Sequence, residues 1–245
     1  MKLWLLFVSC AALCSEPSDW IGLPGFSTEL LSRSNNQRHN IALAASRLDG
    51  LIIPPGKTFS MAKHIGECSS QKGYKVALAY FGGEVVADYG GGVCQVSSTL
   101  YVAALQAGLC ITERRRHTWP VKSVPPGLDA AYAAGSPDLK LANPFSYPLR
   151  LSLKIVGRRL EARFESPQSP EFTSRIERRV TCLIPFSTVT KLSREVSRRT
   201  VLEGRAGQRV QVWRHTYKGD NKVSSELIST DVYEPVNRLI LLPAR

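Results

Sequence analysis

Gly90-Gly91-Gly92-Val93-Cys94-Gln95-Val96-Ser97-Ser98-Thr99-Leu100 is the stretch on which the reading of this 245-residue chain turns. Consecutive glycines let the backbone take positive φ and leave no side chains to block a ligand. Val96, Leu100, Ala103, Ala104 and Ala107 recur at helical spacing, which predicts a helix over 95–109 with Gly108 as its stop. Cys94 then stands at a helix start, where unpaired amides and the positive end of the dipole favour the nucleophilic thiolate. The competing reading is a buried cysteine behind a tight turn, a common fate of free thiols.

Working outward, 76–81 and 84–89 read as extended runs joined by Gly82-Gly83, a hairpin signal. The cysteine thus lies on a strand–glycine turn–helix connection, a layout that exposes a nucleophile at a sheet edge. Ile41, Ala44, Ala45 and Leu48 give 36–51 one apolar helix face, and 57–61 reads as a short strand. Downstream, 111–115 and 128–132 read as strands separated by a proline-rich loop over 119–127. The runs 149–155 and 159–164 alternate with period two around Gly157-Arg158, a hairpin with one wet face. Beyond Ser166-Pro167-Gln168-Ser169-Pro170 the arginine-rich stretch 172–201 shows no legible pattern, and 209–217 with 223–233 forms a last hairpin. These elements predict an α+β fold: a mixed or antiparallel sheet, a helix carrying Cys94 at its N-terminus, and a small C-terminal β segment. The expected divisions are a signal peptide over 1–15, a main domain over 27–165, an irregular extension over 166–200 and a β-rich segment over 201–245.

Residues 1–13 hold one cation, Lys2, ahead of the apolar run Leu3-Trp4-Leu5-Leu6-Phe7-Val8, and Ser15-Glu16-Pro17 supplies a polar break. That run falls well short of the ~20 residues a bilayer span needs, so it reads as a secretory signal, and an extracytoplasmic location is expected. Without this leader 31 basic residues face 20 acidic ones, a net charge of +11. Such a balance suits anionic wall polymers, whereas no nucleic-acid-binding motif is present. Cys68, Cys94, Cys110 and Cys182 remain after the leader, without CxxC spacing, and no histidine pair has ligand spacing. Neither a metal nor a cofactor is expected. Cys110, at the start of a strand-like run, reads as a buried structural thiol.

The glycine–cysteine run, extended to Tyr101, resembles the signature of the VanW family, named for a protein associated with vancomycin-resistance clusters. The resemblance continues in order through Arg38-His39-Asn40-Ile41, Ile53-Pro54-Pro55-Gly56-Lys57-Thr58-Phe59-Ser60 and Gly73-Tyr74-Lys75-Val76-Ala77. It then takes in Glu113-Arg114-Arg115-Arg116-His117-Thr118 and Val124-Pro125-Pro126-Gly127-Leu128-Asp129-Ala130, covering roughly 36–163. The tail 203–233 is similar to the G5-like segment often found after this domain. Val102, Thr118 and Ala131 depart from the usual pattern; none removes the cysteine or the histidine. The resemblance implies a peptidoglycan L,D-transpeptidase that acylates Cys94 with a stem peptide and passes the acyl group to a neighbouring amine.

Acyl transfer by a thiol needs a base and oxyanion donors. Of four histidines, His117 follows the strand leaving the Cys94 helix and lies within the matched region, which makes it the best base candidate; Asp129 either orients it or is a strand-end carboxylate bonded to backbone. Amides of the turn Gly90, Gly91, Gly92, Val93, Cys94 and Gln95 offer an oxyanion hole at the helix start. Arg114 and Arg116 would hold substrate carboxylates. Ser97, Ser98 and Thr99 are expected to bond to backbone rather than react. The partners expected are peptidoglycan stem peptides, and the competing class is a non-catalytic wall-binding or accessory protein.

Overall fold

The computed structural model describes residues 19–81, 84–133 and 137–244. The expected signal peptide over 1–15 and the Gly82-Gly83 turn lie outside the described residues. In chain order, strands β1 (Ile21–Gly22) and β2 (Phe26–Glu29) precede helix α1 (Asn35–Leu48). β3 (Ile52–Ile53), β4 (Thr58–Ser60), the short helix α2 (Met61–Ile65), β5 (Val76–Phe81) and β6 (Glu84–Tyr89) lead to helix α3 (Val93–Gln106). β7 (Cys110–Glu113), β8 (Lys140–Ala142), β9 (Leu149–Val156) and β10 (Arg159–Ser166) follow. The remainder is all strand: β11 (Thr173–Ile184), β12 (Thr188–Ser193), β13 (Thr200–Leu202), β14 (Gly207–Lys218), β15 (Asn221–Tyr233) and β16 (Arg238–Pro243).

The protein is mostly sheet, with three α-helices among the described residues. One sheet runs β1-β10-β9-β3, with β2 also on β10; smaller sheets are β4-β8-β7, β5-β6, β11-β14-β15 and β12-β16-β13. All the pairings between these strands are antiparallel except β12 with β16. The alternation of β9 and β10 sends Leu149, Leu151, Leu153, Leu160, Ala162 and Phe164 inward, where they meet α1 and α3. Helix α1 starts on a capping box, Ser34 accepting from the Gln37 amide while Gln37 accepts from the Ser34 amide, a device worth about 1 kcal/mol.

Helix α3 is buried nearly all round, because the sheet, α1 and the C-terminal strands enclose it. Val96, Leu100, Tyr101 and Leu105 are fully buried, the three aliphatic side chains being worth roughly 1.5–3 kcal/mol each. The nucleophile candidate therefore rides on a deeply anchored helix.

Three expectations need correction. Residues 128–132 form no strand: the amide of Ala130 goes to Ser98 Oγ (3.0 Å) and that of Ala131 to Arg115 O (2.7 Å), so the segment is tied to a helix and a loop instead of a ladder. The stretch 166–200 is not irregular, since it holds β11, β12 and the start of β13. There the inward position after Ile176 is Arg178, whose Nε donates to Pro126 O (2.7 Å), and this half-buried polar contact masks the alternation. Cys110 is exposed, not buried.

Candidate active site

The turn before α3 needs its glycines. Gly90 and Gly92 adopt φ of 79° and 107°, a region closed to most side chains. Gly91 runs against β5, where an added Cβ would lie 2.6 Å from Ala77 O and 2.7 Å from Leu78 O. Buried Asn40 on α1 clamps the same turn: its Nδ2 donates to Gly91 O (3.1 Å) and Lys75 O (2.8 Å), and its Oδ1 accepts from the Lys75 amide (2.8 Å). Gly91→Ala should thus lower stability by about 1–3 kcal/mol and displace the cysteine, read as a fall in melting temperature with slower alkylation of Cys94. An unchanged alkylation rate would show that the close approach does not set the thiol's position.

Cys94 is the second residue of α3 and half-buried, its thiol donating to Tyr132 O at 3.5 Å. Of the expected oxyanion donors, the Val93 amide already bonds Gly90 O (3.0 Å) and that of Gln95 bonds Gly92 O (2.9 Å). Among those two and the Cys94 amide, only the Cys94 amide is not committed to a turn carbonyl among the described residues. The Gln95 side chain faces away to Thr28, Glu29 O and Arg33. Ser97 and Ser98 bond backbone: both donate to Cys94 O, and both hold Ala130, stapling the 128–132 segment across the first turns of α3.

That staple brings Asp129 to His117. His117 Nδ1 and its own backbone amide both donate to Asp129 Oδ2, at 2.7 and 2.6 Å, with the imidazole 6% exposed and Asp129 fully buried. The other ring nitrogen, Nε2, is buried and makes no hydrogen bond among the described residues. Burial opposes charge on this ring, but Asp129 and the nearby Cys94 outweigh it and raise the His117 pKa to about 9. Burial likewise opposes the charge of Asp129, yet His117, Arg114 and Tyr233 together hold its carboxyl down at about 2. A carboxylate orients an imidazolium whose unpartnered face lies near a thiol, an arrangement chemically able to shuttle a proton.

The arginines sit elsewhere than expected. Arg114 is buried, its Nη1 held by both oxygens of Asp231 (2.7 Å) and its Nε by Asp129 O (2.7 Å). Arg116 donates to His117 O (2.8 Å) and lies over the Tyr233 ring. Neither lines the cleft of about 550 Å³ that includes Cys94; among the described residues its cation is Arg33, with Glu67 and Asp88 as the acidic members. The remaining histidines are placed apart: His39 on Gly73 O, His64 stacked on Phe59, and His215 between Ser225 and Glu177. Sequence reasoning missed Asn40, Arg33 and Tyr233 as parts of the site. Asn40 lay inside a quoted motif, whereas nothing in the sequence links Tyr233 to Asp129 across 104 positions.

Residues 36–164 match the family described as VanW like protein, and residues 176–242 match the G5 domain. The chain is 39% identical over 132 residues to "Uncharacterized protein YoaR" of Bacillus subtilis (strain 168), covering 54% of this chain and 44% of that protein. It is 34% identical over 134 residues to "Vancomycin B-type resistance protein VanW" of Enterococcus faecalis (strain ATCC 700802 / V583), covering 50% and 48% respectively. The chain spans about half the length of these curated relatives. Among solved structures, an IgA1 protease G5 domain is 26% identical, with 32% of this chain and 95% of that one covered and a TM-score of 0.23. The G5 domain of HP0197 is 21% identical, with 30% and 99% covered and a TM-score of 0.18.

Proposed function

The chain belongs to the VanW-like family and carries a G5 domain, and from that premise we propose that it is an extracytoplasmic cysteine acyltransferase, a peptidoglycan L,D-transpeptidase. The observation that carries the reading is the buried Asp129–His117 pair, which lies near enough to the half-buried Cys94 for that thiol to help raise the His117 pKa, while Cys94 itself lines the cleft. The family's association with vancomycin resistance, through the name of one relative, fits an envelope role.

With the Cys94 proton passed to His117 Nε2, the thiolate Sγ attacks the carbonyl carbon of the L-to-D peptide bond in a stem peptide, and the Cys94 amide takes up the developing oxyanion. The C–N bond breaks, the departing amine receives a proton from His117 Nε2, and a thioester remains on Cys94. An amine of a second stem then attacks the thioester, gives its proton to His117, and releases the thiolate as the new amide forms. Asp129 keeps the ring oriented and its charge balanced throughout. Arg33, which lines the cleft with its Nε on Gln95 Oε1, takes the substrate's carboxylates in place of Arg114 and Arg116.

A ring with pKa about 9 is protonated at neutral pH, the form needed to expel the amine. Acylation should hold its rate through neutral pH and fall as pH rises through about 9. The experiment incubates the protein with a tetrapeptide muropeptide and an amine acceptor across that range, reading cross-linked product by mass spectrometry. Cross-linking with a basic limb near pH 9 supports the reading. Binding of the muropeptide without any covalent change would favour the non-catalytic accessory class, and release of free peptide without cross-linking would make water the acceptor.

A further inference from the structure

We propose that the C-terminal G5 domain is part of the catalytic apparatus, with Tyr233 on β15 as the positioning residue that fixes Asp129 and, through it, His117. This rests on the reading of Cys94, His117 and Asp129 as a working set.

Of three alternate residues on one face of β15, Tyr233 meets the loop that carries Asp129 directly, and Asp231, backed by Ser229, meets it through Arg114. Tyr233 is fully buried, and its hydroxyl makes two bonds to that loop: it accepts from the Gly127 amide (2.7 Å) and donates to Asp129 Oδ1. Asp231 receives Arg114 Nη1 on both oxygens and is supported by Ser229 Oγ (3.1 Å). Arg114 in turn reaches Asp129 Oδ1 (3.3 Å), Asp129 O and Gly127 O. Both oxygens of Asp129 are thereby spoken for, Oδ2 from within the VanW-like domain and Oδ1 largely from outside it.

A contact that merely joined two units would need only apolar packing. That packing is present as well, because Val210 and Val212 close against Gly127, each 3.0 Å from where a Cβ would stand. The polar set is additional, and a buried network with its partners satisfied specifies one geometry where apolar surfaces would allow several. The phenol is a donor at any working pH, since burial and the Asp129 carboxylate both raise its pKa. Facing His117 and Asp129 are therefore Cys94 from α3, Arg114 and Arg116 from the segment after β7, and Tyr233 with Asp231 from β15.

The test uses the full chain with Tyr233→Phe, which keeps the ring and removes the hydroxyl. His117 is titrated through its imidazole resonances by NMR, and Cys94 alkylation by iodoacetamide is followed against pH. The midpoint of His117 should move by about half a unit or more once Asp129 loses a donor. Turnover should fall about tenfold or more with little change in KM. Tyr217→Phe, under Arg175 on the same domain, should leave midpoint and turnover as in the parent. Should the phenylalanine variant melt too low to titrate, Asp231→Asn tests the same brace through Arg114. A folded Tyr233→Phe with the parental His117 midpoint and alkylation profile overturns the proposal. If instead His117→Ala leaves the alkylation profile untouched, the catalytic reading fails, while a shifted His117 midpoint in Tyr233→Phe would still establish the brace.

Discussion

Cys94→Ala should abolish cross-linking, a fall of at least ~10³-fold, because removing the nucleophile of an acyl-transfer set leaves only binding and oxyanion contributions. The fold should hardly respond. The thiol is half-buried and makes one long bond, to Tyr132 O at 3.5 Å, so the stability change should stay within about 0.5 kcal/mol. The contrast between lost turnover and an intact melting curve is the informative result. Alanine in place of Cys94 with cross-linking undiminished would remove the enzyme reading and leave a wall-binding protein.

Asp129→Ala should do damage of a different kind. The carboxylate is fully buried and receives His117 twice, Tyr233 and Arg114. Its removal leaves the buried His117 imidazole and the Tyr233 hydroxyl without their carboxylate, while Arg114 keeps Asp231, a loss of about 3–5 kcal/mol by analogy with other broken buried pairs. The pH dependence of that loss follows from the two shifted groups. His117 is raised to about 9 from 6.5, so its share is present in full below 6.5 and disappears as pH rises through about 9. Asp129 is lowered to about 2 from 3.8, so its share is complete above 3.8 and disappears as pH falls through about 2. Denaturant melts of parent and variant should therefore differ most between about pH 4 and 6.5 and converge on either side. A gap independent of pH would mean that Asp129 contributes packing alone.

Much of this architecture is legible in the chain because period and punctuation agree. The β9–β10 hairpin alternates cleanly around Gly157, and α1 shows its buried face at Ile41, Ala44, Ala45 and Leu48. The β14–β15 hairpin declares itself by its polar turn. Legibility fails where a side chain's partner is distant. Arg178 interrupts the pattern of β11 because its inward position meets a carbonyl of another loop. The 128–132 segment resembles a strand locally, yet Ser97 and Ser98 capture its backbone. Arg114 reads as an exposed substrate clamp in isolation and becomes structural only when Asp231, 117 positions away, arrives beside it. Local sequence carries the turn that presents Cys94; the brace behind His117 exists only in the folded chain.

The most direct measurement is the intact mass of the protein after mixing with a tetrapeptide muropeptide and no acceptor amine. An increase equal to the acyl portion of the donor is expected, located on Cys94, cleared by hydroxylamine, and absent from Cys94→Ala. An acceptor amine should discharge the adduct into cross-linked product. A parent protein that binds the muropeptide yet never gains that mass contradicts the thioester on which the whole account stands.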